Sequence, residues 1–316
     1  MITIENVRDL PARARGAYLT IGNFDGVHRG HAHLMAELVG RAREAGAPAI
    51  AVTFDPHPAI LLRPEQAPEP LARLDREIEL LMATGVADVA VFKTGPWLLE
   101  LSAREFFEQV VLGQFAARGM VEGPNFFFGR DRQGNVDVLG RWCEEAGVAL
   151  HVAEPLVTDD GRMISSSRIR RCLAEGEVAE ARELLGRPHR IRGIVTHGAG
   201  RGAGIGVPTA NLDEIDVLIP APGVYAARVI VPGEGPGSPA SAWPAACNIG
   251  PNPTFGEQQF KVEAHLIGYR GDLYGQLVEM DFLERLRPTR AFSGLDDLLA
   301  QIARDVEDAR RIAGAE

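Results

Sequence analysis

Lysine is nearly absent from this chain of 316 residues, in which Lys93 and Lys261 stand against 31 arginines. Neither lysine lies in the G-x-x-x-x-G-K-[ST] pattern of a P-loop. The V-A-I-K, H-R-D and D-F-G segments of protein kinases are missing as well. If the protein handles ATP, it therefore holds the nucleotide in another way.

Cysteine, long apolar runs and positive charge are also scarce. The three cysteines lie far apart and never form C-x-x-C, so we expect no zinc site, no disulfide framework and a cytoplasmic location. No apolar run reaches about 18 residues, and residues 1–16 lack an apolar core, so we expect neither a membrane span nor a secretory signal. A formal net charge of −10 disfavours non-specific nucleic-acid binding, which needs a basic face.

The first half of the chain alternates strand and helix patterns. The strand-like runs are 17–21, 49–54, 89–92, 120–122 and 149–152, and the helical runs are 31–45, 78–84, 103–112 and 141–146. This alternation predicts a parallel sheet with helices on both faces, which binds ligands at the carboxyl ends of its strands.

The pattern changes after residue 185. Short β-rich runs separated by Gly and Pro follow, at 190–195, 223–231, 243–249, 260–266 and 276–282. They predict an antiparallel barrel, and residues 295–312 predict an amphipathic terminal helix. We therefore expect two domains, residues 1–185 and residues 186–316.

Residues 20–31 read TIGNFDGVHRGH, a buried strand followed by a glycine loop and a helix start. A helix N-terminus suits phosphate, and Gly30 would let a phosphate approach the backbone. His28 and His31 are three residues apart and project on one side, where they could stabilise charge on a reacting phosphate. A capped turn with surface histidines is the alternative. We assign nucleotide binding here to Gly22, Asn23, Phe24, Asp25 and Gly30.

A second segment, ISSSRIR at residues 164–170, precedes another helical pattern. Residues 165–167, all serines, could cap that helix, whose N-terminus could take a phosphate, and Arg170 could clamp phosphate oxygens. Taken alone, such a segment is more often only a capped helix.

These two segments together resemble the HxGH nucleotidyltransferase superfamily. TFDPHP (53–58) and GPNFFFGRDRQGN (123–135) narrow the resemblance to the adenylyltransferase module of bacterial FAD synthetases. The resemblance implies that His28 and His31 act on the phosphates and that Ser166, Ser167 and Arg170 bind the triphosphate. It also implies a contribution to the same cleft from Asn125 and a position near the flavin for the stretch 54–58. The flavin-side residues that we assign are Phe54, Pro56 and Pro58.

Residues 193–212, GIVTHGAGRGAGIGVPTANL, contain a glycine-rich loop that suits a flap over phosphates, although a flexible hairpin is equally compatible. Pro208 and Thr209 exclude the helix that a dinucleotide fingerprint would need. Thr209 and Asn211 lie two residues apart on one face of an extended segment, and their oxygens suit Mg²⁺ that carries ATP. The nucleotide contacts that we assign to this loop are His197, Gly198, Gly202 and Gly206.

The alternation in VEAHL (262–266) places Glu263 and His265 on the face opposite the apolar residues. A carboxylate at a barrel mouth could accept a hydroxyl proton during phosphoryl transfer. Taken alone, such a Glu most often belongs to a solvated face.

GVPTANL, GVYAARV, CNIGPNPTFG, VEAHL, GDLYG and the segment 286–305 resemble, in this order, the riboflavin kinase domain. The resemblance implies a six-stranded Greek-key barrel with a C-terminal helix. It assigns Thr209 and Asn211 to Mg²⁺-ATP and makes Glu263 the base that activates the ribityl 5′-hydroxyl. It further implies a flavin-closing loop over 252–255, in which we assign Asn252, Thr254 and Phe255.

We therefore predict an N-terminal α/β nucleotidyltransferase domain with a Rossmann-like parallel sheet and a C-terminal Greek-key β-barrel. The predicted reactions are phosphorylation of riboflavin to FMN with Mg²⁺ and ATP, then adenylyl transfer from ATP to FMN. We expect riboflavin, FMN and ATP as small-molecule partners, without nucleic acid or a membrane, and the oligomeric state stays open. Three alternatives stay open: a kinase with a degenerate N-terminal domain, transfer of AMP or CMP to another phosphate ester, and a non-enzymatic flavin or nucleotide regulator.

Overall fold

The computed structural model describes residues 1–5, 11–198, 206–233, 238–251 and 260–314. The chain divides into two compact units. The first comprises residues 1–69 and 73–165, and the second comprises residues 70–72 and 166–316.

A six-stranded parallel sheet forms the centre of the first unit, and a short hairpin accompanies it. The eight strands, in chain order, are β1 (Ile2–Ile4), β2 (Tyr18–Ile21), β3 (Ala49–Asp55), β4 (Asp88–Lys93), β5 (Gly119–Glu122), β6 (Phe127–Phe128), β7 (Gly134–Asn135) and β8 (Ala149–Val152). The sheet order is β1-β4-β3-β2-β5-β8, and β6 and β7 pair with each other. The crossovers change direction at β2, so the site expected for a ligand is the carboxyl end of this strand.

Helices cover both faces of this sheet. They are α1 (Arg29–Glu44), α2 (Pro58–Leu62), α3 (Leu74–Ala83), α4 (Pro96–Leu99), α5 (Ala103–Phe106), which continues as a π-helical segment (Phe107–Gln114), and α6 (Val136–Ala146). Ile50 and Val52 of β3 belong to one apolar cluster, whereas Ala49 and Ala51 belong to another. Burial on both faces explains why residues 49–52 of β3 are all apolar instead of alternating.

The second unit contains a closed antiparallel barrel of order β10-β13-β12-β11-β14-β9. Its strands are β9 (His189–Thr196), β10 (Ala210–Asp213), β11 (Gly223–Val231), β12 (Ser241–Gly250), β13 (Lys261–Leu266) and β14 (Leu277–Arg287), and its helices are α7 (Ser166–Glu175), α8 (Val178–Leu185) and α9 (Leu295–Gly314). Because β10 lies beside β13 and not beside β11, the connection is that of a Greek key. The predicted fold class, a parallel α/β unit followed by a six-stranded barrel with a terminal helix, is confirmed.

The helices α7 and α8 belong to a different unit from the one expected from the sequence. The contacts group α7 and α8 with the barrel, whereas the sequence pattern predicts a boundary after residue 185. Arg285 of β14 donates to the carbonyl oxygens of Glu175 and Pro222, and Gly176 leaves room for this side chain. The boundary between the two compact units therefore lies about twenty residues before the point where the sequence pattern changes.

Candidate active sites

The turn from β2 to α1 is organised by a histidine cap. His28 precedes the first helical residue, and its Nδ1 accepts a hydrogen bond from the backbone N–H of His31 at 3.2 Å. Only an unprotonated nitrogen can accept this bond, so in the neutral ring the proton lies on Nε2. The cap thereby makes the other end of the imidazole a hydrogen-bond donor.

The two histidines form one stacked pair. Their ring centroids are 3.6 Å apart with 18° between the planes, and Phe24 meets His31 edge-on at 5.3 Å. A Cβ on Gly30 would lie 3.1 Å from the His28 ring and 3.4 Å from the carbonyl oxygen of Ile164. The glycine between the histidines therefore leaves space for the imidazole ring that folds back over it.

A buried carboxyl group supports this turn from the neighbouring strand. Strands β2 and β5 pair with each other at Tyr18 and Leu19 of β2. Two residues later, Glu122 of β5 accepts a hydrogen bond from the Ile21 N–H at 2.9 Å. Burial raises the pKa of Glu122 well above its ordinary range, against the lowering effect of this hydrogen bond. The side chain thus takes the role of a strand partner where the parallel strands diverge.

A second buried carboxyl group lies beside the same loop. Glu77 of α3 accepts a hydrogen bond from the hydroxyl of Thr53 at 2.6 Å and is 8% exposed. Burial raises its pKa from 4.5 to about 7; the Thr53 bond opposes this shift, and the charges of Asp25 and Asp55 add to it. The protonation of Glu77 is thereby coupled to Asp25, one of the residues expected to bind nucleotide.

Glu77→Gln is expected to stabilise the protein at pH 8 and to have much less effect at pH 5. Because the folded pKa exceeds the unfolded value, the stabilisation from keeping this group protonated is complete below about pH 4.5 and is lost as the pH rises through about 7. The ionised group then costs roughly 3 kcal/mol, which the neutral amide avoids. Calorimetric unfolding at the two pH values measures this, with Glu79→Gln, an exposed change in the same helix, as the control. Equal effects of Glu77→Gln at both pH values would contradict the assignment.

The residues expected near the flavin lie between the end of β3 and the start of α2. Phe54 lies at the end of β3 and contacts Phe92, with ring centroids 5.9 Å apart. Pro56 accepts a hydrogen bond at its carbonyl oxygen from the Thr94 hydroxyl at 2.6 Å, and Pro58 begins α2. Asn125 is exposed between β5 and β6. The turn residues Gly22 and Asn23 follow β2 directly.

The segment with the predicted triphosphate ligands starts α7. Ser166 is the first helical residue, Ser167 is exposed, and Arg170 is half-buried. Between Ser167 and Arg170 lies Arg168, which is buried and donates to Glu180 of α8 at 2.8 Å. Arg168 therefore packs the two helices together, and its two neighbours in the motif are the more accessible side chains.

Polar side chains form a lateral row on the barrel. Asn211 of β10 lies directly opposite Glu263 of β13, and Asn248 of β12 lies opposite Glu263 on the other side. Directly opposite residues project to the same face of a sheet with Cβ atoms about 4.5–5.5 Å apart. The register therefore brings together the amide expected to hold Mg²⁺ and the carboxylate expected to act as base.

This row faces outward. Val262, Ala264 and Leu266 are buried and alternate with Glu263, so they fill the interior of the barrel. The carboxylate consequently lies on the outer wall, which differs from the barrel mouth expected from the sequence, because the buried alternate residues of β13 turn Glu263 away from the interior.

The end of β9 adds two of the expected nucleotide contacts to this region. A Cβ on Gly198 would fall 2.2 Å from the side-chain nitrogen of Asn211, so the amide lies against this glycine. His197 stacks on Tyr274 with ring centroids 3.8 Å apart. Gly206 adopts φ +80°, which favours glycine. The remaining predicted contacts lie outside the described residues; they are Gly202, Asn252, Thr254 and Phe255.

The donor set of the barrel fits a magnesium ion that is bound mainly through phosphates. Within the described residues no three His, Cys, Asp or Glu side chains cluster in a way that could hold a metal. Asn211 supplies an amide oxygen directly opposite Glu263, and Thr209, two residues earlier in the chain, supplies a hydroxyl. Mg²⁺ commonly takes one or two protein oxygens and completes its shell with water and substrate phosphates.

None of the cysteines has the properties of a nucleophile. All three are buried. Burial raises the pKa of Cys143 and of Cys172 to about 11 and that of Cys247 further still. A reactive cysteine needs a lowered pKa, so covalent catalysis through a thiolate is disfavoured.

Four residues at these sites were not assigned a role from the sequence: Thr53, Glu77, Glu122 and His265. For Glu122, the sequence does contain a signal, because a carboxylate at the end of a buried strand is unusual and marks a candidate site residue. The Thr53–Glu77 bond joins residues 24 positions apart on different elements, and no local pattern reveals such a pairing.

Comparisons with known proteins agree with this division of the sites. The FAD synthetase family model matches residues 10–168, and the riboflavin kinase family model matches residues 185–313. The bifunctional riboflavin kinase/FMN adenylyltransferase of Pseudomonas fluorescens is 36% identical over 314 residues, which covers 99% of this chain and 98% of the relative. The enzyme of the same name from Bacillus subtilis is 33% identical over 299 residues, which covers 93% of this chain and 91% of the relative.

A solved structure extends the similarity to the fold of the whole chain. A crystal structure from Streptococcus pneumoniae, described as a macrolide-efflux protein, matches with a TM-score of 0.85 at 30% identity and covers 98% of both chains. Among the described residues of the present protein, none of the helices has the length and apolarity needed to span a bilayer. The chain belongs to the bifunctional riboflavin kinase/FMN adenylyltransferase family, and it makes FAD by phosphorylating riboflavin to FMN and then transferring AMP from ATP to FMN.

Proposed function

We propose that each activity has its own site, with the kinase reaction on the outer wall of the barrel and the adenylyl transfer at the β2–α1 turn. The observation that carries this assignment is the direct opposition of Asn211 and Glu263 across β10 and β13. The stacked pair of His28 and His31 lies in the other unit and forms a separate candidate site. We keep residues 1–185 and 186–316 as the two functional domains.

In the kinase reaction, Glu263 accepts the proton of the riboflavin 5′-hydroxyl. As this proton leaves, the hydroxyl oxygen bonds to the γ-phosphorus of ATP and the bond from that phosphorus to the bridging oxygen breaks, so FMN and ADP form and the proton remains on the carboxyl group until solvent takes it. Thr209 and Asn211 would hold Mg²⁺, which when bound neutralises charge on the phosphate groups. Glu263 needs no unusual burial for this role, since a hydroxyl proton is transferred as the new bond forms.

In the adenylyl transfer, a phosphate oxygen of FMN bonds to the α-phosphorus of ATP, and pyrophosphate leaves. His28 can donate from Nε2 because its Nδ1 is engaged by the helix. His31 stacks on it and lies at the start of a helix of 16 residues, whose partial positive charge also favours phosphate. We propose that the pair stabilises charge that moves to the leaving pyrophosphate.

Other assignments rest on the sequence alone. The resemblance implies the triphosphate contacts of Ser166, Ser167 and Arg170, the place of Asn125 in the same cleft and the flavin contacts of the 54–58 stretch, and the sparse cysteines suggest the cytoplasmic location. They stay predictions, as do the absence of a nucleic-acid partner and the absence of a membrane partner.

A single time course tests the two reactions on which this proposal rests. Purified protein is incubated with riboflavin, ATP and MgCl₂, and the flavins are separated chromatographically at intervals. FMN should rise first and then give way to FAD, and neither flavin should form from riboflavin when a chelator replaces MgCl₂. FMN that accumulates without FAD, even with inorganic pyrophosphatase present, would instead indicate an N-terminal domain that is silent or acts on another phosphate ester.

A further inference from the structure

The outward face of β13 carries a second polar residue that the proposed kinase mechanism does not use. His265 lies two residues after Glu263 and therefore projects to the same side of the strand. Its Nδ1 lies 2.7 Å from the carbonyl oxygen of Pro208. A carbonyl oxygen can only accept, so Nδ1 of His265 carries the proton and donates it.

The accepting carbonyl belongs to the peptide unit that joins Pro208 to Thr209. This unit is planar, so fixing the direction of its C=O bond also fixes the N and Cα of Thr209. What remains adjustable for Thr209 is its own φ, ψ and χ1. The hydrogen bond thus acts directly on the backbone that presents the Thr209 hydroxyl.

The pairing of β10 with β13 shows where this hydrogen bond lies relative to Thr209. β10 pairs with β13 at two positions, Ala210 with Ala264 and Asn211 with Glu263. Continuing that register by one residue sets Thr209 opposite His265. The hydrogen bond from His265 to the Pro208 carbonyl thus connects the chain to β13 just before the paired residues begin. Asn211 is already held by its own pairing with Glu263.

We propose that His265 is a positioning residue of the kinase site, which orients Thr209 toward Mg²⁺-ATP through the Pro208 carbonyl. The inference rests on the proposed role of Thr209. It requires a side-chain donor at the position of the imidazole Nδ1 and makes no demand on the charge of the ring.

The first test compares two replacements of similar size. Asn places an amide N–H close to the position of the imidazole Nδ1, whereas Leu fills the space without a donor. His265→Leu should raise the KM for Mg²⁺-ATP and the half-activating Mg²⁺ concentration roughly three- to tenfold, the worth of one hydrogen bond. The KM for riboflavin should stay unchanged, and His265→Asn should recover most of the loss. Equal behaviour of the two variants, or a rise in the KM for riboflavin of similar size, would overturn the proposal.

The second test is a double-mutant cycle with Thr209→Ala. If His265 acts through Thr209, His265→Leu should change the Mg²⁺ dependence little once the hydroxyl is gone. Additive effects would show that His265 acts independently and would overturn the inference while leaving Thr209 in its role. A normal Mg²⁺ dependence of Thr209→Ala alone would instead remove the assignment of Thr209 and the inference with it. Adenylylation of supplied FMN by each variant reports whether the rest of the chain is intact.

Discussion

Glu263→Gln is expected to lower the turnover of riboflavin phosphorylation by about 10²–10⁴-fold, the usual contribution of a general base. The amide has the size and shape of the carboxylate and keeps an acceptor oxygen, but it cannot take up the proton of the 5′-hydroxyl. The variant isolates proton transfer because the opposed Asn211 and the ladder between β10 and β13 do not depend on the charge. Initial rates of FMN formation at saturating Mg²⁺-ATP measure the effect.

The same preparation contains its own reference reaction. Adenylylation of added FMN should stay within about twofold of the wild-type rate, since sites without shared partners respond independently. Glu284→Gln is the matched control, because Glu284 is an exposed carboxylate on β14 of the same barrel. A Glu263→Gln kinase within about threefold of wild type would remove Glu263 from the role of base.

The parts of the fold that were predictable from sequence are those with strong local patterns. Residues 49–52 of β3 are apolar because both faces of this stretch are buried, and β11 was located at its observed bounds, residues 223–231. Short or polar elements were missed as strands. β1 has three residues, and β10 has the sequence ANLD with only Leu212 buried, so neither contains enough apolar residues to show a period.

The residue types of the two sites were predictable, but their arrangement was not. Motifs identified the histidine pair and Glu263, yet the opposition of Asn211 and Glu263 depends on a strand register between segments fifty residues apart. The Glu77 carboxyl, with its pKa of about 7, depends on a helix, on β3 and on the loop between β2 and α1, which converge on one point. Such contacts follow from tertiary packing, which propensity and periodicity do not encode.

The prediction of comparable size in the other unit is that His31→Ala lowers adenylylation of FMN about 10²–10³-fold, as expected when one donor to a developing negative charge is lost. The change removes the ring that stacks on His28 at 3.6 Å and leaves the backbone N–H that His28 caps. The helix start is therefore expected to persist, so the loss should appear in turnover more than in stability. Pyrophosphate release from ATP and FMN measures it.

His33→Ala is the matched control, since His33 lies in the same helix two residues further on and therefore projects in a different direction from His31. It should leave both reactions near their wild-type rates, and His31→Ala should leave riboflavin phosphorylation intact. If His31→Ala abolished both reactions in a chain whose thermal unfolding is unchanged, the two sites would not be independent. The assignment of one reaction to each unit would then fail, because a change confined to the β2–α1 turn would have reached the outer wall of the barrel.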